Sequence, residues 1–213
     1  STGPDGLHHL VWEIFDNARD EAMAGEATEI EVVLLGDRVR VADNGRGIPI
    51  DIHQKTNVSA LETVMTTLHA GGKFDSKSYQ VAGGLHGVGA SVVNALSEHL
   101  RAEVHRDGGR YLQEYERGAR RAAVKKIGTT DKRGTIITFK PDHKIFPELE
   151  MNFHRILSHL RQQAYLVKGL RIRVVDARGL DTKTNFEEAY WVWDLGLDMP
   201  SETYYFDGGL LSL

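Results

Sequence analysis

The sequence predicts an α+β fold, a two-layer sandwich in which helices cover one face of a mixed, mostly antiparallel sheet. Two observations support this class. Strand-like stretches follow one another in the middle of the chain, whereas alternating strands and helices would indicate a parallel sheet. The chain has 213 residues, 41% of them hydrophobic, which suits one buried core. We therefore expect residues 1–213 to form a single domain.

The chain opens with a helix and a hairpin. Apolar residues spaced by three and four over residues 7–24 predict an amphipathic helix that stops at Gly25. β-Branched residues on both sides of Gly36–Asp37 predict antiparallel strands over residues 28–35 and 38–42.

A glycine-rich loop over residues 43–49 leads to the second helix. Ser59 followed by Glu62 is a capping-box pattern, which marks the start of a helix that we expect to end at Gly71–Gly72. Residues 73–84 lack a clear periodicity and are typical of a mobile lid.

The rest of the chain completes the sheet and its helical layer. We predict a third helix that begins directly after a glycine cluster, and a hairpin turn at Gly108–Gly109. The elements expected here are a helix over 87–97, strands over 100–105, 110–116 and 135–140, a helix over 153–164, and a final strand over 170–176.

Composition restricts the function classes. The sequence has no cysteine, no signal-peptide pattern and no apolar run near the roughly 20 residues of a membrane span, so we expect a soluble, cytoplasmic protein without membrane contact. The formal net charge of -4 argues against strong nucleic-acid binding by the whole domain. Residues 117–133 carry seven basic residues and one acidic residue. Such a strip could contact DNA, but a solvated strand or loop is the favoured interpretation.

The strongest local motif is the glycine cluster over residues 83–89. Glycines let the backbone approach an anion, and a helix that starts there adds free amides and the positive end of its dipole. The cluster therefore predicts a phosphate cradle, although glycine turns also serve tight packing. Its spacing fits neither a dinucleotide-binding fingerprint, because Val92 replaces the third glycine, nor a P-loop, because Phe74 follows Gly72–Lys73.

The first helix carries a polar face. His9, Glu13, Asn17 and Glu21 recur every four residues and so lie along one side. Glu13 could act as a general base for water, oriented by His9, and the amide oxygen of Asn17 could complete the coordination of Mg²⁺. The alternative is an ordinary solvated face.

Asp43 ends a predicted strand, and the chain turns at once through Asn44 and Gly45. A carboxylate there could accept a hydrogen bond from the exocyclic amine of adenine, an interaction worth about 1.5–3 kcal/mol. The alternative is a simple turn, since Asp, Asn and Gly are common turn residues.

Three segments together resemble the ATP-binding signature of the superfamily that contains gyrase, Hsp90, histidine kinases and MutL. They are Glu13-x-x-Asp16-Asn17, Asp43-x-Gly45-x-Gly47 and Gly83–Gly89. Longer stretches are similar to gyrase B proteins and also to topoisomerase IV, namely Asp16–Ala22, Leu68–Asp75 and Gly83–Leu96. Asp75 favours the gyrase B family. The likeness extends from Gly6 to Asp176 and implies a Bergerat-type ATP-binding fold.

The resemblance implies roles for the matching positions. Glu13 would activate the attacking water with support from His9, and Asn17 would bind Mg²⁺. Asp43 would bind adenine directly and through a water assisted by Thr135. The other implied nucleotide contacts are Arg46, Gly47, Ile48, Pro49, Lys73, Tyr79, Gly84, Leu85, His86, Gly87, Val88, Gly89 and Arg106. Arg46 and Arg106 would also meet aminocoumarin inhibitors.

The implied function is the ATPase of a type II DNA topoisomerase. Mg-ATP binding and hydrolysis would close a dimer of two gyrase B proteins and drive DNA strand passage, with negative supercoiling in the complex with gyrase A. Topoisomerase IV, or a nucleotide-binding module without turnover, are the alternatives. A histidine kinase is disfavoured, since no helix with a phospho-acceptor histidine precedes the domain.

The sequence also departs from the family. An N-terminal arm would precede Ser1 and a second domain, with a lysine for the γ-phosphate, would follow Leu213, so we expect this chain alone to hydrolyse ATP weakly or not at all. Asn44 stands where an Asp is usual. Glu187–Ser201, with Trp191 and Trp193, has no counterpart that we can place.

Overall fold

The computed structural model describes residues 1–67, 88–180 and 183–208. Within these ranges, four helices pack against a nine-stranded sheet. The helices are α1 (Pro4–Met23), α2 (Ala60–Thr66), α3 (Val88–Ala95) and α4 (Phe153–Leu166). The strands are β1 (Glu29–Leu34), β2 (Val39–Asp43), β3 (Ser97–Arg106), β4 (Gly109–Glu116), β5 (Ala119–Arg120), β6 (Lys125–Thr129), β7 (Gly134–Pro141), β8 (Arg171–Asp176) and β9 (Ser201–Tyr205).

The sheet runs in the order β5-β4-β3-β7-β2-β1-β8-β9, and β6 also pairs with β4. The pair of β1 with β8 is parallel and the other pairs between these strands are antiparallel. The predicted class, helices on a mixed and mostly antiparallel sheet, is therefore confirmed. Since β2 lies between β1 and β7, the residue that ends it, Asp43, is placed inside the sheet rather than at an edge.

The two faces of the sheet differ in chemistry because successive side chains on a strand point to opposite sides. On the inner face, apolar residues such as Val32, Val41 and Leu100 pack with the helices in one core. On the outer face, Glu31 and Arg40 are also buried. A further apolar cluster on this face joins Val33 and Val175 of the sheet to Val192 and Met199.

Several predicted boundaries are corrected. α2 ends at Thr66, not at Gly71–Gly72, since Thr67 already has extended backbone angles. The Ser59 hydroxyl accepts the Glu62 amide at 3.0 Å, as the capping pattern predicts. However, the Glu62 carboxylate accepts hydrogen bonds from Gln113 and Arg120 at 2.8 and 3.1 Å. It therefore links α2 to the sheet.

The hairpin turn between β3 and β4 lies one residue earlier than predicted. Asp107 and Gly108 take φ angles of 52° and 80°, and Gly109 already begins β4. β5, β6 and β9 were not predicted, because their mostly exposed residues lack an apolar alternation. Since β9 follows β8, the strand over 171–176 is not the last, although the sequence predicted that it would be. The basic strip is exposed over residues 119–123 and 125–127, as the favoured interpretation expected. None of the helices in the described part of the chain combines the length and apolar character needed to span a bilayer.

Candidate functional site

A narrow pocket lies between α1 and the inner face of the sheet. Its polar lining consists of Asn17 on α1, Asp43 at the end of β2 and Thr135 at the start of β7. Its apolar lining consists of Ile14, Ala18, Val41, Ile48, Met65, Ala90 and Ile137. The cavity volume is about 20 Å³, room for about one water molecule. A carboxylate, an amide and a hydroxyl thus converge in an otherwise apolar cleft, a composition typical of small-molecule sites.

Asp43 is the residue of this pocket whose pKa is strongly shifted. Asp43 is only 7% exposed, and burial raises the pKa of its carboxyl from 3.8 to about 7. The Gly45 amide offsets part of this increase by donating a hydrogen bond of 2.8 Å to Oδ1. A carboxylate offers about four acceptor sites. Asp43 therefore has acceptor capacity for a donor that enters the pocket.

The loop after β2 is held by α1. Glu21 accepts the Arg46 amide at 2.9 Å and the Arg46 guanidinium at 2.6 Å. Glu21, which the sequence placed on the ligand-facing stripe, thus fixes the loop instead. Gly47 has a φ of 80°, and a Cβ there would lie 2.9 Å from the carbonyl oxygen of His105. The guanidinium of Arg106 donates to the Gly47 carbonyl at 2.8 Å, so one predicted arginine lies in this loop and the other binds it.

Ile48 connects the same loop to β7. Its amide donates to the Thr135 hydroxyl at 3.0 Å. Because that hydroxyl oxygen accepts from Ile48, its own proton is available to another acceptor. Pro49 is buried directly after Ile48.

The predicted general base, Glu13, and its supporting histidine, His9, are in contact on α1. His9 Nε2 and Glu13 Oε1 are 2.7 Å apart. A Cβ on Gly89 would lie 1.9 Å from Glu13 Oε2, so the first turn of α3, which begins at Val88, packs directly on this carboxylate. His9, Glu13, Asp16 and Gly89 line a second cavity of about 670 Å³, which is large enough for a phosphate chain and its waters.

The structure brings part of the predicted site together. Asn17 lines the pocket with Asp43, and its side chain makes no hydrogen bond with another described residue. Within the described ranges, no three His, Asp or Glu side chains are grouped to hold a metal ion. The predicted phosphate contacts Lys73, Tyr79, Gly84, Leu85, His86 and Gly87 lie outside the described residues.

Some residues of the site were not predicted. The apolar lining, such as Met65 and Ile137, occupies positions that the sequence does not distinguish from ordinary core. Tyr190 donates a hydrogen bond from its hydroxyl to the backbone carbonyl of Asp43. The aromatic residues near Tyr190 were the only signal in that part of the sequence. Asn44 has a structural role, because its Oδ1 accepts hydrogen bonds from the amides of Thr28 and Glu29 at 2.8 and 3.0 Å.

Comparisons with known proteins show which proteins this chain is similar to. The chain is 54% identical over 188 residues to the DNA gyrase B protein of Halalkalibacterium halodurans, covering 87% of this chain and 30% of that protein. It is 56% identical over 185 residues to the DNA gyrase B protein of Thermotoga maritima, covering 86% and 29%. The chain therefore spans about 30% of the length of these relatives.

A solved structure shares the whole fold. The 43K ATPase domain of Thermus thermophilus gyrase B, in complex with an aminocoumarin, has a TM-score of 0.81 and 38% identity, covering 100% of this chain and 49% of that one. Residues 2–145 match the model of a family described as histidine kinase-, DNA gyrase B- and HSP90-like ATPases. Because this match covers more than half of the chain, the chain belongs to the family of histidine kinase-, DNA gyrase B- and HSP90-like ATPases.

Proposed function

We propose that this chain is the single ATP-binding domain of a DNA gyrase B-type protein and that Asp43 recognises the adenine base. The buried Asp43 carboxyl, raised in pKa and facing the pocket with Asn17 and Thr135, carries the proposal. The exocyclic amine of adenine is a donor that can use the remaining acceptor capacity of this carboxylate, and a base with an oxygen there would be repelled. One water can bridge adenine to Asp43 and the Thr135 hydroxyl.

Adenine is larger than a cavity of about 20 Å³. Its entry therefore requires the apolar lining to move. Met65 lines the pocket, and a methionine side chain changes shape at little cost. Arg46, Gly47, Ile48, Pro49 and Arg106 would border the base.

The phosphate end would lie at the cavity beside Glu13. The Glu13 carboxylate would take a proton from water as the water oxygen bonds to the γ-phosphorus and the bond to the bridging oxygen of ADP breaks. His9, at 2.7 Å, would hold that carboxylate in place. Asn17 has a free amide oxygen of the kind that suits Mg²⁺, and the bound ion would neutralise charge on the phosphates. Lys73, Tyr79 and the amides of residues 84–89 remain predicted phosphate contacts.

The similarity to gyrase B relatives supports a place in a larger enzyme. There the domain would pair with a second gyrase B protein on binding ATP and work with gyrase A and DNA to introduce negative supercoils. The aminocoumarin in the Thermus relative supports inhibitor binding at Arg46 and Arg106. A holoenzyme that chiefly decatenates DNA would instead indicate the topoisomerase IV alternative.

Titration with Mg-ADP in a calorimeter tests the proposal. Asp43→Asn should weaken binding at least about tenfold, since an amide accepts less strongly than a carboxylate. Asp142→Asn is the matched control, because Asp142 is also buried but pairs with Arg117 at 2.8 Å outside the pocket. Equal affinity of the Asp43 variant and the wild type would refute the assignment. Phosphate release from this chain, alone and joined to the next domain of a gyrase B protein, would distinguish a turnover enzyme from a binding module.

A further inference from the structure

The segment over residues 186–195, here termed the outer segment, is fixed to the outer face of the sheet by buried charges. Arg40 donates to the Ala189 carbonyl at 2.5 Å. The Glu31 carboxylate, which is 0% exposed, accepts the amides of Val192 and Trp193 at 2.7 and 3.0 Å. Hydrogen bonds to charged groups are the stronger kind, so the backbone of this segment is held in one position.

Tyr190 lies in the middle of the outer segment, and its ring is held on two sides. The edge-to-face contact with His105 has a centroid distance of 4.8 Å and an interplanar angle of 88°, and the contact with Trp191 is 4.9 Å. His105 is itself bound to Glu103 at 2.5 Å. The ring of Tyr190 therefore has little freedom. Its hydroxyl donates to the backbone carbonyl of Asp43, and the Arg133 carbonyl is a more distant acceptor at 3.4 Å.

Gly134 makes this approach sterically possible. A Cβ at Gly134, whose φ is 140°, would lie 1.9 Å from the Asp43 carbonyl oxygen and 2.1 Å from the Tyr190 hydroxyl. The start of β7, the end of β2 and the Tyr190 hydroxyl therefore occupy one tight contact. Asp43 thus connects the pocket to the outer segment, because its side chain lines the pocket and its backbone carbonyl accepts a hydrogen bond from Tyr190.

We propose that Tyr190 is a positioning residue for nucleotide binding, whose hydroxyl fixes the backbone of Asp43 and so aims the Asp43 carboxyl at the base. The inference rests on the proposed function, in which Asp43 binds adenine. The peptide group after Asp43 leads directly into the glycine-rich loop. Without the hydroxyl, the Asp43 carbonyl loses this hydrogen bond and the peptide group is held less firmly. A displacement of about 1 Å at the carboxyl is enough to weaken a directed contact.

Tyr190→Phe is the test, with Trp193→Phe as its control. Trp193 belongs to the same outer segment but is 46% exposed, and its backbone bond to Glu31 survives the change. Mg-ADP affinity should fall about 3- to 10-fold in the Tyr190 variant, a value within the range for residues that act on a site indirectly, and stay at the wild-type level in the control. Replacing Tyr190 with 4-aminophenylalanine, which restores an N–H donor, should recover most of the affinity.

A second readout does not require nucleotide. The pKa of the Asp43 carboxyl, followed by ¹³C NMR in the free protein, should rise in the Tyr190 variant, because the positive end of the hydroxyl dipole is lost. It should not change in the Trp193 variant.

The outcomes separate the two proposals. Wild-type protein that does not bind Mg-ADP would overturn the proposed function and this inference with it. Wild-type protein that binds, with a Tyr190 variant of equal affinity and equal Asp43 pKa, would overturn the inference alone. Equal loss of affinity in both variants would also overturn it, because the effect would then come from packing of the outer segment. Thermal unfolding of each variant shows that the folded state is being compared.

Discussion

Replacing Asp43 with Asn should stabilise the free domain while it weakens nucleotide binding. Asn has nearly the same shape, and its amide oxygen can still accept the Gly45 amide that lies 2.8 Å from Oδ1. What the variant removes is a charge that burial disfavours, since desolvation is the largest cause of the raised pKa of Asp43.

The magnitude follows from that pKa. Folding raises it from 3.8 to about 7, and at 1.36 kcal/mol per unit this corresponds to a cost of about 4 kcal/mol for carrying the charge in the folded state. Below pH 3.8 Asp43 is protonated in both states and costs nothing. As the pH rises toward 7 the unfolded chain has released its proton and the folded chain has not, so stability falls through this window.

Urea unfolding of wild type and Asp43→Asn at pH 5 and pH 8 measures the effect. The variant should be more stable at both, and its advantage should grow by about 2–3 kcal/mol between them. Asp142→Asn should show the opposite sign, because the Arg117 guanidinium lowers the pKa of Asp142 and its charge therefore stabilises the fold above its unfolded pKa. An Asp43 variant that is less stable at pH 8, or whose advantage does not change with pH, would refute the reasoning.

Three other substitutions test separate parts of the structure. Glu13→Gln should slow phosphate release about 10²- to 10⁴-fold in a protein that also carries the next domain, and unchanged turnover would exclude Glu13 as the base. Gly134→Ala should cost more than about 1–3 kcal/mol in urea unfolding, because it combines a φ of 140° with a contact of 1.9 Å to the Asp43 carbonyl. Wild-type stability there would show that β7 can shift. Ser59→Ala should cost about 1 kcal/mol by losing the bond to the Glu62 amide at 3.0 Å, and an unaltered thermal midpoint would contradict that cap.

The elements that govern the site were predictable where local patterns decide them. The spacing of polar residues on α1 was sufficient to predict that His9 would reach Glu13, because residues four apart on a helix are neighbours. The hairpin of β1 and β2 placed Asp43 at a strand end for a similar reason. The polar stripe gave no means to separate Asn17, which faces the pocket, from Glu21, which binds Arg46.

Long-range contacts decided the rest. Met65 and Ile137 line the pocket only because α2 and β7 meet there, and their apolar character is the same as that of any core residue. β9 and the outer segment have no periodic pattern. The position of β9 depends on its pairing with β8, and that of the outer segment on buried charges elsewhere in the chain, namely Glu31 and Arg40.

By itself, then, the order of residues determined the fold class and the approximate positions of the main helices and strands, and it singled out Asp43, Glu13 and Asn17 as candidate site residues. Only the tertiary structure decided which of these groups share a pocket, how far burial raises the pKa of Asp43, and that Tyr190 reaches its carbonyl from 147 positions along the chain. The physical reason is that desolvation and packing depend on what the remaining chain brings near a group, whereas spacing and turn chemistry are local.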